Sequence, residues 1–424
     1  MSIVYFNYEF VTLMAALGIL IIALAISVTW SYFLLYMVKS YRESPKLQQY
    51  AQPCNGVFPR VSVIVPARNE EDYISGCLDS LIKQDYPNFE IILIDDSSKD
   101  RTWEIMHNYT AKYNGLITSL RAGPRPHGWV GKNWACYRGY LLSKGDLLLF
   151  TDADTKHSAS TMRSAVQFLG RQNFDAITLI PRLLCRDFWT RITLPLLTVF
   201  LHTRFSALRV NNPATKIGYF FGSFYLITRT AYEAVGTHNL VRQELVEDGA
   251  LGAELKRRRF AIKMVKGEQY VTAVWARDLT TLWHGLRRLL IPIYTQKGYA
   301  TVFMTVAVIF LLLMPFILMP FSMGFYVLSP EFVSKNGDRN NVHVVAAIVA
   351  SAGALGVALI FLCAAVQSKL GVFQSPLYAL FCPLAAVIIC SCFLSSLYDA
   401  TKGGSVMWRG RQYNVTEYAD VPSD

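Results

Sequence analysis

Two carboxylates one residue apart, Asp152 and Asp154 in Phe150-Thr-Asp-Ala-Asp-Thr155, are the residues whose type and spacing point most directly to chemistry. They follow the apolar run Leu147–Phe150 and precede a helix-like stretch, Ser158–Leu169. Hard cations such as Mg²⁺ or Mn²⁺ take oxygen donors of this kind and share them with substrate phosphates. His157 is either a further ligand or, on the plainer reading, a structural or capping residue. A second acidic pair, Asp95-Asp96, ends the apolar run that starts at Glu90 and is followed by Ser97 and Ser98. Acids at such a strand end commonly hold a ribose or a base edge. The same segment also reads as a helix N-cap, with Ser97 or Ser98 leading a helix over Asp100–Lys112. The third pair, Glu247-Asp248, stands before a helical pattern at Gly249–Arg259. A carboxylate there could accept a proton from a hydroxyl group; taken alone, the pair reads as helix N-terminal charge.

The elements that must position these acids alternate in type. Val61-Ser-Val-Ile-Val65 is a short β-branched run ending at Pro66, and Glu70–Gln84 repeats apolar residues at helical spacing through Ile74, Cys77, Leu78, Leu81 and Ile82. Strand, helix and strand then recur through Glu90–Asp95, Asp100–Lys112 and Asp146–Asp152. Such alternation predicts an α/β domain, roughly residues 60–298, built on a mostly parallel, Rossmann-like sheet. Ligands bind beyond the carboxyl ends of strands in such sheets. Pro66, Asp95, Asp96, Asp152 and Asp154 all fall at those ends.

The chain around this domain is of another character. Of its 424 residues, 53% are hydrophobic and only 17% are charged, which excludes a disordered protein and argues against a wholly soluble one. Val11–Val38 holds no charged residue and exceeds the roughly 20 residues needed to span a bilayer. No Lys or Arg precedes Lys39, so an uncleaved anchor over 1–40 fits better than a signal peptide. Lys39, Arg42 and Lys46 follow it, which predicts a cytoplasmic domain. Three more uncharged runs, Tyr299–Leu328, His343–Gln367 and Gly371–Tyr398, make a C-terminal membrane region over 299–398, followed by a tail over 399–424. If all four runs cross, the basic residues Lys335, Arg339, Lys402, Arg409 and Arg411 lie outside and only Lys369 inside. The positive-inside preference therefore favours a re-entrant or interfacial Tyr299–Leu328, broken at Pro315 and Pro320, and a cytoplasmic tail. Within the domain, the helix-like segment near 188–204 suits an interfacial helix or a buried one. The net charge of +11 fits an anionic substrate or an anionic lipid surface, and nucleic acid would leave the membrane runs unexplained. Eight cysteines without metal spacing read as buried free thiols.

Four ordered motifs carry a resemblance. Val63-Ile-Val-Pro-Ala-Arg-Asn-Glu70, Ile94-Asp-Asp-Ser-Ser98, Thr151-Asp-Ala-Asp154 and Val246-Glu-Asp248 together resemble the family-2 glycosyltransferases of GT-A fold, over roughly residues 60 to 290. Gly128-Trp-Val-Gly-Lys-Asn-Trp-Ala135 and Met407-Trp-Arg-Gly-Arg-Gln-Tyr413 resemble the membrane-anchored branch related to ceramide glucosyltransferases and to hopanoid- and carotenoid-associated glycosyltransferases. The resemblance implies a nucleotide-sugar donor, with UDP-glucose the first guess, a membrane-lipid acceptor, and Mn²⁺ or Mg²⁺ as cofactor. It implies that Pro66, Ala67 and Glu70 line the nucleoside pocket, with Asp95 or Asp96 on base or ribose. Asp152 and Asp154 would bridge ribose, metal and diphosphate, Asp248 would be the base supported by Glu247, and Lys132 would approach the diphosphate or sugar or else be a surface lysine. A single base and in-line displacement would invert the anomeric centre.

The chain departs from the family where many members carry Q-x-x-R-W. Here the corresponding stretch is Leu282-Trp-His-Gly-Leu-Arg-Arg288. Arg287 or Arg288 could still hold diphosphate, with Trp283 or His284 towards the acceptor; a basic membrane-surface helix is the other reading. Trp408, Arg409 and Arg411 could close over the site if the tail is cytoplasmic. A polyprenyl-phosphate glycosyltransferase is the alternative within enzymes, though the Gln those enzymes often carry two residues after the second acid is Lys156 here. A non-catalytic scaffold or lipid transporter is the alternative outside them. It fits less well, because the apolar runs contain no Asp, Glu, Lys or Arg to form a transport path.

Overall fold

The computed structural model describes residues 2–47, 58–297, 299–333, 339–402, 405–408 and 411–414. The strands are β1 Val61–Ala67, β2 Phe89–Asp95, β3 Ile117–Arg121, β4 Leu147–Phe150, β5 Thr155–His157, β6 Ala176–Ile180, β7 Arg182–Leu183, β8 Tyr225–Thr228, β9 Ile262–Lys266, β10 Val271–Ala273, β11 Ser405–Trp408 and β12 Arg411–Asn414. Seven of them form one sheet in the order β3-β2-β1-β4-β8-β6-β9. The β1–β2, β1–β4, β2–β3 and β6–β9 pairs are parallel, and β8 alone runs antiparallel to its neighbours β4 and β6. The mostly parallel sheet of a GT-A-like fold is therefore present.

Both faces of this sheet are buried, as expected when helices cover a parallel sheet. Every residue of β1 and β4 is buried. Val63, Leu93 and Leu149 pack on one side with Ile74 and Leu78 of the Ile74–Ile82 helix. Ile64, Leu148 and Phe150 pack on the other with Phe220, Tyr225 and Leu251. The continuous apolar runs in the sequence thus mark strands sandwiched between layers.

The chain divides into two compact units. The first comprises residues 1–41, 187–203 and 293–402; the second comprises 42–186, 204–292 and 403–424. The second holds all three sheets.

The first unit carries four helices long and apolar enough to cross a membrane: Met14–Glu43, Thr301–Gly324, Val344–Leu370 and Pro376–Thr401. Two of their polar side chains bond to neighbouring helices inside the unit. Trp30 Nε1 donates to the Leu311 carbonyl at 3.1 Å, and the Tyr41 hydroxyl to Gln367 at 2.8 Å. The segment expected to be re-entrant or interfacial is not broken at Pro315 and Pro320: it lies in one continuous helix, Tyr299–Val333. In the Phe188–Phe205 helix Leu194, Leu196 and Val199 are fully buried, while Phe188 and Trp189 at its start are exposed. Within the first unit Phe200 packs edge-on against Trp30 and Phe33, and Thr198 accepts from Gln367.

Candidate active site

The second unit gathers its acids where β1, β2 and β4 end. The turn after β4 is pinned on both sides. Thr151 N–H donates to the Ile64 carbonyl, Asp152 N–H donates to Gly222 at 3.1 Å, and the Thr151 hydroxyl donates to Ser223 at 2.7 Å. His157 Nε2 lies 3.0 Å from that hydroxyl, buried against Phe224, and burial pushes the imidazole down to about 3. It is a structural residue here and not a ligand.

Glu247 and Asp248 begin the Glu247–Arg257 helix rather than preceding it, so their charges face its N-terminal amides. Close backbone packing brings this helix to β4. A Cβ on Gly252 would fall 2.8 Å from the Phe220 amide nitrogen, so only glycine lets the 219–222 segment approach. The Gly131–Leu142 helix is tied to the same place, since Asn133 Nδ2 donates to the Val241 and Glu244 carbonyls at 2.6 and 2.9 Å.

Lys132 stands at the convergence. Its Nζ lies 2.6 Å from Asp152 Oδ1 and 2.6 Å from Glu247 Oε1. It is half-buried and doubly paired rather than a free surface lysine; desolvation opposes its charge, but Asp152, Glu247 and Asp248 together hold it well above the usual lysine range. Asp248 is pushed up to about 7 by burial and by Glu247, with Lys132 opposing. A Cβ on Gly222 would sit 2.7 Å from Asp248 Oδ2, 2.9 Å from Asp152 Oδ2 and 3.2 Å from Lys132 Nζ. Both carboxylates and the ammonium therefore face one small space that glycine leaves open. Pro66 and Thr151 also line this cleft.

Asp154, half-buried one turn residue on, adds its charge to that of Asp152 at Cys77. Among the described residues no group of three His, Cys, Asp or Glu side chains forms a metal cage. Asp152 and Asp154 do offer hard oxygen donors at a cleft edge, which fits a Mg²⁺-type ion that completes its shell with substrate oxygens.

A second polar cluster closes the ends of β1 and β2. Glu70 is fully buried and paired with Arg277 at 2.7 Å. Pro66 and Ala67 belong to β1, which runs two residues further than the apolar pattern suggests. The Asp95 carboxylate accepts from the Ser98 amide at 3.2 Å, and the Ser98 hydroxyl accepts from the Asn69 amide at 3.1 Å. The following helix starts only at Thr102, with Asp100 accepting from the Thr102 amide, so neither Ser97 nor Ser98 caps it. Asp96 is buried between Arg411 Nη1, 2.9 Å from both of its oxygens, and Arg68 Nη1 at 3.9 Å. Burial pushes Asp96 up and the two guanidinium groups pull it back only in part.

The remaining expected residues fall as follows. Trp283, His284, Arg287 and Arg288 share the Leu279–Lys297 helix and are half-buried. Arg288 and Asp248 both act electrostatically on the Tyr219 phenol, in opposite directions, with burial the larger effect. Arg411 sits at Asp96. Arg409 and the Trp408 side chain lie outside the described residues. Sequence reasoning missed Arg277 and Arg68, although Arg68 stands inside one of the quoted motifs.

The geometry agrees with comparisons to known proteins. A family model described as Glycosyl transferase family 2 matches residues 62–236. The 4,4'-diaponeurosporenoate glycosyltransferase of Staphylococcus haemolyticus is 29% identical over 217 residues, covering 50% of this chain and 56% of that relative. Its counterpart in Staphylococcus aureus is 27% identical over 233 residues, covering 53% and 58%. The chain thus spans rather more than half the length of these relatives. Among solved structures, the mannosyltransferase PcManGT of Pyrobaculum calidifontis, in complex with GDP-Man and Mn²⁺, aligns over 90% of this chain and 99% of that one at 16% identity and TM-score 0.48. Residues 62–236, which bring Asp95, Asp96 and Asp152 to the strand ends of one mostly parallel sheet, are thus similar to the Glycosyl transferase family 2 model.

Proposed function

We propose that this chain is an inverting, metal-dependent glycosyltransferase that moves one sugar from a nucleotide sugar to the hydroxyl or carboxyl group of a membrane lipid. The observation that carries the reading is the meeting of Asp152, Asp248 and Lys132 around the space at Gly222. The base, the leaving-group end and a cation are thereby within reach of one small substrate group. Asp248 takes the proton from an acceptor hydroxyl as its oxygen attacks the anomeric carbon; the bond to the nucleoside diphosphate breaks on the opposite face, which inverts that carbon. A hydroxyl needs a base whose pKa lies near the working pH, and burial beside Glu247 pushes Asp248 to about 7. Glu247 holds Lys132 against Asp152, so the ammonium faces the negative charge that develops on the diphosphate. Mn²⁺ or Mg²⁺ held by Asp152 and Asp154 would neutralise the same leaving group. Pro66, Ala67, Glu70, Asp95 and Asp96 take the nucleoside end, and Arg288 with Arg287 the diphosphate side. A lipid acceptor fits the four helices apolar enough to cross a membrane, and the relatives whose names specify a carotenoid acid.

The test is incorporation of radiolabelled sugar into membrane lipid from a panel of nucleotide sugars, with and without EDTA. Organic-soluble label that EDTA abolishes supports the reading. Label cleaved by mild acid as a phosphate sugar would transfer it to a polyprenyl-phosphate acceptor instead. No label from any donor would refute it.

A further inference from the structure

The C-terminal hairpin β11–β12 follows the last long apolar helix, yet it belongs to the same unit as the sheet. Its two described anchors both end on the nucleoside side of the cleft. Arg411 spans the two oxygens of Asp96 with one nitrogen, at 2.9 Å each. Tyr413 is 2% exposed, packs with Val130, Leu245 and Ile291, and its hydroxyl accepts from the Gly131 amide at 3.4 Å. The Arg125 guanidinium lies 5.5 Å from the centre of the Tyr413 ring. Gly131 is where the hairpin and the site come closest: a Cβ there would fall 2.5 Å from Arg411 Nη1 and also strike Asp96 Oδ2. The glycine that opens the Lys132 helix is thus the one residue type that lets the pair form.

The Arg411 side chain keeps 23% of its surface exposed, whereas Asp96 keeps 7%. A buried carboxylate is costly unless it is paired, and here the tail supplies the nearer of two partners. Arg411 thus reaches from the hairpin to a strand-end acid while part of its own side chain stays accessible.

We propose that the C-terminal hairpin is a working part of the donor site, in which Arg411 positions Asp96 for the nucleoside end of the nucleotide sugar. This rests on the glycosyltransferase reading above. It makes Arg411 a positioning residue, acting through Asp96 rather than on the diphosphate. It also constrains the membrane topology. The sheet precedes the last three apolar helices and the hairpin follows them, so contact between Asp96 and Arg411 requires an even number of those helices to cross. Three successive crossings would put Arg411 and Asp96 on opposite faces of the bilayer.

The experiment compares the full-length membrane protein with Arg411→Ala, Arg411→Lys and Gly131→Ala, measuring donor KM and kcat separately. Arg411→Ala and Gly131→Ala are expected to raise donor KM by about tenfold or more, the loss typical of a charged hydrogen bond, with kcat within about threefold. Arg411→Lys should recover part of the loss. Should the wild type transfer no sugar, nucleotide affinity by titration calorimetry replaces KM with the same tenfold criterion; affinity lost in the variants then upholds the inference although the transfer reading has failed. Wild-type KM or affinity in both alanine variants overturns it, as does a wild type that binds no nucleotide. In a second arm, a protease acts on sealed vesicles carrying an epitope after Asp424. Digestion of epitope and catalytic domain from the same side is required; digestion from opposite sides overturns the inference and leaves the transferase reading standing.

Discussion

Gly222→Ala tests the site most directly, because it adds one methyl group at the point where three charged groups meet. The backbone accepts alanine there, since Gly222 is not among the described glycines of positive φ. The added carbon would lie 2.7 Å from Asp248 Oδ2, 2.9 Å from Asp152 Oδ2 and 3.2 Å from Lys132 Nζ. Comfortable separations are about 3.5 Å or more, so both carboxylates must retreat by roughly half an ångström to an ångström. A misplacement of about 1 Å in a reacting constellation costs on the order of a hundredfold in rate. Sugar transfer under saturating donor and acceptor should therefore fall by about 10- to 100-fold in kcat. Folding should suffer little, since the methyl group meets the movable ends of side chains at a cleft, and overpacking costs about 1–3 kcal/mol even in closed cores. The assay is transfer of labelled sugar into lipid, with the thermal midpoint of the same sample measured in detergent. A kcat within twofold of wild type, with an unchanged midpoint, would refute the claim that the reacting groups meet at this gap.

Other expectations follow from the same geometry. Asp248→Asn should leave nucleotide binding nearly intact and cut transfer by about 10²- to 10⁴-fold, the usual worth of a general base. Because Asp248 works deprotonated and is pushed up to about 7, wild-type kcat/KM should rise tenfold per pH unit below that value and level off above it; a flat profile from pH 5.5 to 8 contradicts the assignment. Asp154→Ala should abolish Mn²⁺-dependent nucleotide affinity, and retention of that dependence would remove the residue from the metal site. His157 and His238 are buried and pushed down to about 3, against roughly 6.5 when unfolded. Between those values the unfolded chain binds more protons, so stability is lost as pH falls below about 6.5, by up to about 1.4 kcal/mol per pH unit for each ring. His238→Gln should make the fall in thermal midpoint between pH 7 and 5 less steep, and an equal slope in both proteins would falsify this. Arg277→Met removes an ion-pair partner of the fully buried Glu70 and should cost about 2–4 kcal/mol, of which adding Glu70→Gln should restore part.

The acids were legible because their chemistry is local. Short apolar runs that end in Asp95-Asp96 and Asp152-Ala-Asp154 declare strands tipped with acids, and β2 and β4 stand in register with β1 as parallel strands. The same logic placed Pro66 and Ala67, with β1 simply running further than its β-branched run. Helix starts were less legible. Ser97 and Ser98 look like caps in sequence, but Ser98 is spent on Asn69 and Asp95, and the helix waits for Thr102. Glycines carried no readable signal: nothing near Gly222, Gly252 or Gly131 in the chain states that a carboxylate, another backbone or a distant arginine will stand against it.

Composition and periodicity determined the class of each segment, because hydrophobic pattern and turn chemistry act over a few residues. They separated an α/β domain from long apolar helices and put acids at strand ends. Tertiary structure alone decided the partners. Lys132 is a half-buried bridge and not a free surface charge, since two other elements bring Asp152 and Glu247 within 2.6 Å of it. The partners of the 188–205 helix, Trp30 and Gln367 among them, come from helices far away in sequence. Arg411 belongs to Asp96, 315 residues earlier. Burial, and with it the worth of every charge in the site, is set by groups that only folding brings together.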